Sequence, residues 1–129
     1  MTTFIIIADS GYAATVTSGE NTLKSLQTLV DGYIECVQVR NSDFGFTFDL
    51  WVKEEGLFRE DFMVNLPASY LTGRTIKGPA VITVSTLEGR TVGLSEAQIK
   101  RASKVMSIDD ENYSMEDAQT FFVSQVANS

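Results

Sequence analysis

Apolar and polar positions alternate most regularly between Phe44 and Lys53. Phe44, Phe46, Phe48, Leu50 and Val52 fall on one side of this run, and Gly45, Thr47, Asp49, Trp51 and Lys53 on the other. Successive side chains of a strand point to opposite faces, so the run predicts a strand with one buried and one wetter face. Tyr33 to Arg40 is rich in β-branched and aromatic residues and predicts a partner strand. Between the two stand Asn41, Ser42 and Asp43, whose side chains bond their own backbone in turns, so the pair is expected to be a hairpin. Cys36, in the middle of the first strand, is expected to be a small buried core residue.

The rest of the chain is placed around this hairpin. Residues 4–8 (FIIIA) read as a buried strand closed by Asp9-Ser10-Gly11, with Ala13 to Thr17 pairing back on it. Leu23, Leu26, Leu29 and Val30 recur at helical spacing, after a cap at Asn21 or Thr22 and before Gly32. Pro67 predicts a single helical turn over 68–71. Ala80 to Val84 reads as a buried strand. Ser95 and Gln98 have the spacing of a capping box, opening a helix with Ile99, Ala102, Val105 and Met106 on its apolar stripe. Asp109 to Asn112 reads as an acidic loop, and Ser114 with Asp117 as the start of a last helix that carries Phe121 and Phe122. The expected fold is α+β: a mostly antiparallel sheet with a packed helix, one domain over 1–106, and an acidic helical C-terminal extension over 107–129.

Charge sharpens that division. The 129 residues carry a net charge of −7. Residues 107–129 hold five acids and no base, so the body is nearly neutral and the extension acidic. No basic stripe is present to neutralise phosphates, which disfavours direct nucleic-acid binding. With one Cys there is no internal disulfide, as in a reducing compartment. The apolar run at the start is too short to span a membrane and lacks a charged leader, so a cytoplasmic protein is expected.

Candidate chemistry is sparse. The chain has no His, which removes the commonest general base and metal ligand. Gly-rich phosphate loops are missing, and the acidic loop lacks the spacing of a calcium loop. Glu54 and Glu55 are adjacent at a strand end and point apart, so they read as solubilising turn residues rather than an acid–base pair. A non-catalytic protein without cofactor or metal is expected. Two patches suit binding. Thr47, Asp49, Trp51 and Lys53 form the polar face of the second hairpin strand and suit a protein partner. Arg59, Asn65, Arg74 and Lys77 supply donors suited to a small anionic ligand. Burial of Phe121 and Phe122 between copies of the chain would make a homo-oligomer.

Several blocks in order also carry a family resemblance. They are LxxLVDGYIExVxV over Leu26 to Val39, VKEEG over Val52 to Gly56, Asn65 with Ala68, IKGPAVIT over Ile76 to Thr83, and VGLSEAQI over Val92 to Ile99. Together they resemble a domain-of-unknown-function family of small proteins from bacteriophages, plasmids and their bacterial hosts. Asp31 stands where that family usually has Gly, and Lys53 where it usually has Asn. The resemblance implies a phage or mobile-element origin and no catalytic residue. The expected function is then a phage-type binding protein that inhibits or sequesters a host factor, for which a defence component or its nucleotide signal is one instance. The alternatives are a DNA mimic or regulatory partner of a nucleic-acid enzyme, motivated by the acidic charge, and a structural or assembly protein.

Overall fold

Strand β1 (Thr2–Ile7) runs through the middle of the molecule, and its FIII run is apolar on both faces because both faces are covered. The computed structural model describes residues 2–19, 22–30, 33–54, 63–109 and 112–118. The expectations for Asn21, Gly32, Glu55, Gly56, Arg59, Phe121 and Phe122 lie outside the described residues. Among those described, β1 is joined by β2 (Ala13–Ser18), β3 (Ile34–Asn41), β4 (Phe46–Lys53), β5 (Ala80–Ser85), β6 (Thr91–Val92) and β7 (Asn112–Ser114). They form one sheet in the order β3-β4-β5-β1-β2-β7, with β6 paired to β5. Every pairing is antiparallel except that of β7 with β2. The fold is α+β with a mixed sheet.

Helices cover both faces. Against one face lie α2 (Leu66–Thr72) and α3 (Glu96–Val105), which pack Ala68, Leu71, Ile99 and Ala102 onto Ile5, Ile7, Phe48, Leu50 and Ile82. Against the other lie α1 (Thr22–Val30) and α4 (Met115–Ala118), which pack Leu26, Leu29, Val30 and Ala118 onto Phe4, Ile6, Val16 and Val81. The capping box at Ser95 and Gln98 is formed in full, and Ser114 Oγ caps α4 by accepting from Asp117 N.

The expected hairpin is formed, with Val39 opposite Phe48 and Val37 opposite Leu50. Its turn is longer than the alternation implies. Asn41 Oδ1 accepts from Asp43 N, and Gly45 follows at φ 76°, so β4 starts at Phe46. Phe44 leaves the strand yet stays fully buried beside Phe48. At Gly45 a Cβ would strike the Arg101 guanidinium, whose Nη1 donates to Phe44 O and holds α3 over the turn. Pro67 opens a full seven-residue helix rather than a single turn.

The described residues of the acidic extension, 107–109 and 112–118, pack on the sheet. Asp109 N donates to Ala13 O, Asn112 begins β7 rather than ending a loop, and Ala118 is fully buried. A chain ending at Met106 is expected to fold cooperatively but to be less stable than one ending at Ala118. The deficit should be about 3–5 kcal/mol: five bonds to Asp109, Asn112 and Tyr113 are lost, at up to roughly 1 kcal/mol net each and less where they are exposed. Urea denaturation of the two chains measures it; an unfolded shorter chain would make β7 part of the nucleus that the fold requires.

Candidate functional site

The expected binding residues do not converge on one place. Thr47, Asp49 and Trp51 do share the α1 face of the sheet. Asp49 is buried and accepts from Ser85 Oγ at 2.5 Å, while Trp51 is half-buried, its Nε1 donating to Thr83 Oγ1 at 2.8 Å. These polar groups are satisfied by their neighbours in the sheet. Cys36, opposite Trp51, is exposed rather than buried because β3 is the edge strand of the sheet. Loss of part of its water shell, then the Asp49 charge and a hydrogen bond to that residue, push its thiol up to about 11. It is therefore a thiol, not a thiolate, near neutrality and a poor nucleophile.

Lys53, the last residue of β4, also lines a crevice with Arg74 and Lys77 at the end of the β3–β4 ladder. Arg74 pairs with Glu35 at 3.1 Å, and the crevice has a volume of only about 40 Å³, room for a water and not for a nucleotide. Asn65 does not face a ligand. It is fully buried, its Oδ1 accepts from Ala68 N to cap α2, and its Nδ2 donates to Ile7 O and Gly78 O.

A much larger groove, about 650 Å³, opens between α3 and the β1–β2–β7 end of the sheet. Its sheet wall is Thr3, Thr15, Thr17 and Asn112, and its helix wall includes Glu96, Ala97, Lys100 and Ser103. Those helix positions recur at helical spacing and so share one side of α3. The wall arises from a switch along two strands. On the α3 face, β1 runs from buried Ile7 and Ile5 to half-buried Thr3, and β2 from buried Ala13 to half-buried Thr15 and Thr17. A helix facing that end with Ala97 and Ser103 has little to pack against it, and a gap is left.

The wall is wired together. Thr15 Oγ1 and Thr17 Oγ1 donate to Asn112 Oδ1 at 3.0 and 3.1 Å, and Thr17 Oγ1 lies 3.3 Å from Thr3 Oγ1. β7 holds Asn112 opposite Thr15 by parallel pairing. The same strand is pinned from its other face, where Tyr12 bonds both Asp109 and Tyr113. Burial, then the Asp109 bond, raise the Tyr12 hydroxyl far above the usual tyrosine range, so it stays a neutral donor. The sequence carries no binding expectation for any of the groove residues. The Thr3–Ile5–Ile7 and Ala13–Thr15–Thr17 alternations were its available signal, but nothing local brings Asn112 to them across 95 residues.

Among the described residues no group of His, Cys, Asp and Glu is arranged to hold a metal ion, and no helix is long and apolar enough to cross a membrane. Neither a curated protein nor a solved structure matches the chain. The family model that does match covers residues 1–107, from β1 to just past α3, and the chain belongs to that family, described as domain of unknown function DUF3846.

Proposed function

We propose that this protein acts by stoichiometric binding, holding a small polar ligand in the groove between α3 and the β1–β2–β7 strands without turning it over. The observation that carries this reading is the hydroxyl and amide wall of Thr3, Thr15, Thr17 and Asn112, which lies on the helix-facing side of the sheet where an ordinary fold places apolar residues. Its size lies within the range of small-molecule sites, about 300–1,000 Å³. If the gene belongs to a phage or mobile element, as the sequence blocks imply, binding would sequester a host compound, and a nucleotide signal of a defence system is one that such an element gains by removing. The protein is then needed in molar proportion to its ligand.

The test is to incubate the purified chain with a metabolite extract, separate it, heat-denature it and identify what is released by mass spectrometry. A binder returns an unaltered compound in proportion to the protein added, and Thr17→Val loses it. Many molecules of an altered compound per chain would overturn the reading and reveal an enzyme.

A further inference from the structure

We propose that the ligand of this groove is a sugar bearing one anionic group, with its hydroxyls against the threonine wall and its charge at Lys100. The inference rests on the groove being the binding site and adds the chemistry that it selects. Each threonine hydroxyl has a single hydrogen. Thr15 and Thr17 spend theirs on Asn112 Oδ1. Because the Thr17 hydrogen is committed, the contact between Thr3 and Thr17 runs from Thr3 as donor to Thr17 as acceptor. All three hydroxyl hydrogens are thus used within the wall. What the wall offers a ligand is the remaining lone pairs of three oxygens, and the two Nδ2 hydrogens of Asn112, which nothing among the described residues accepts.

A matching ligand brings several donors and an acceptor, side by side. Sugar hydroxyls do both. A carboxylate brings no donor, and inorganic phosphate brings no row of neutral hydroxyls, so either would set most of its lone pairs against those of the threonines. Lys100 is the cation among the groove's described lining residues, and Glu96 lies one turn away on the same side of α3. One negative group is attracted by that pair at the lysine end; a chain of phosphates is repelled at the other. Sugar phosphates and nucleoside monophosphates share the required chemistry, while polyphosphates and nucleic-acid strands do not.

The experiment is an amide NMR titration of the full chain with ribose 5-phosphate, adenosine 5′-monophosphate, its 2′,3′-dideoxy analogue, ribose, inorganic phosphate and spermidine. Ribose 5-phosphate or the nucleotide is expected to shift amides at 15–18, 96–103 and 112–114. The dideoxy analogue should bind at least about tenfold more weakly, a difference of about 1.4 kcal/mol. Ribose should be weakened similarly, and Lys100→Ala should remove the advantage of the phosphate. Asn112→Asp keeps an oxygen for Thr15 and Thr17 but loses the outward donor, so it should weaken binding while leaving shifts elsewhere unchanged; Thr17→Ser should bind nearly as the parent does. If inorganic phosphate binds as tightly as the sugar phosphate, or the dideoxy analogue binds undiminished, the sugar assignment is wrong although the groove is still a site. Spermidine shifting those amides in place of the sugars has the same meaning. If no probe moves the groove amides at about 10 mM, a level that would reveal even a millimolar Kd, the groove itself is not the site.

Discussion

Phe48→Ala should lower the free energy of unfolding by about 3–5 kcal/mol, the usual cost of truncating a buried phenylalanine. The ring is 1% exposed and is held by two others, with centroids 4.6 Å from Phe44 and 6.2 Å from Phe46. Its strand position sets it opposite Val39, and its cluster includes Leu50, Ile82 and Ala102. Removing it therefore leaves a cavity bounded by a central strand and by α3, elements that cannot collapse inward without breaking the sheet register. Phe46, on the same side of β4 but only half-buried, is the internal control: Phe46→Ala should cost clearly less. Urea denaturation of both variants gives the comparison. A loss below about 1 kcal/mol at Phe48 would mean that this face of β4 is not the core-facing one.

That hairpin was legible because its information is local. Strict alternation fixes which side of β4 is buried, and Asn41 and Asp43 name their own turn. The capping box at Ser95 and the Ser114 cap were legible for the same reason: each is a donor and an acceptor three residues apart. The groove was not, because its wall is assembled from strands far apart in the chain. Thr15 and Thr17 look like solvent-facing strand residues until β7 arrives beside β2 and brings Asn112 to them. Acidic composition pointed the other way, suggesting an appendage where the fold inserts a strand. Cys36 shows a different limit. Alternation tells which face a residue is on, but it does not tell whether the strand lies at the edge of the sheet, and at an edge a small side chain stays exposed.

Asn65 separates a ligand donor from a structural one, and its replacement should be as costly as that of Phe48. In the sequence its amide reads as a donor suited, with Arg74 and Lys77, to an anionic ligand. In the fold its one side chain ties three elements together: α2 through Ala68 N, β1 through Ile7 O, and the segment leading into β5 through Gly78 O. Asn65→Ala removes the α2 cap, worth about 1 kcal/mol. It also strands two carbonyls in a place with no water to replace the amide, at about 1–3 kcal/mol each. The expected total is about 3–5 kcal/mol by urea denaturation, allowing for partial relaxation. Asn65→Asp distinguishes the two contributions. A carboxylate still accepts from Ala68 N, so a residue that matters only as a cap would be rescued. But its oxygens would face Ile7 O and Gly78 O, acceptor against acceptor, with no proton between them. If the link between β1 and the β5 approach dominates, the aspartate variant is no more stable than the alanine one. Recovery to within about 1 kcal/mol of the parent would show instead that the two carbonyls find other partners, and that Asn65 is a helix cap and little more.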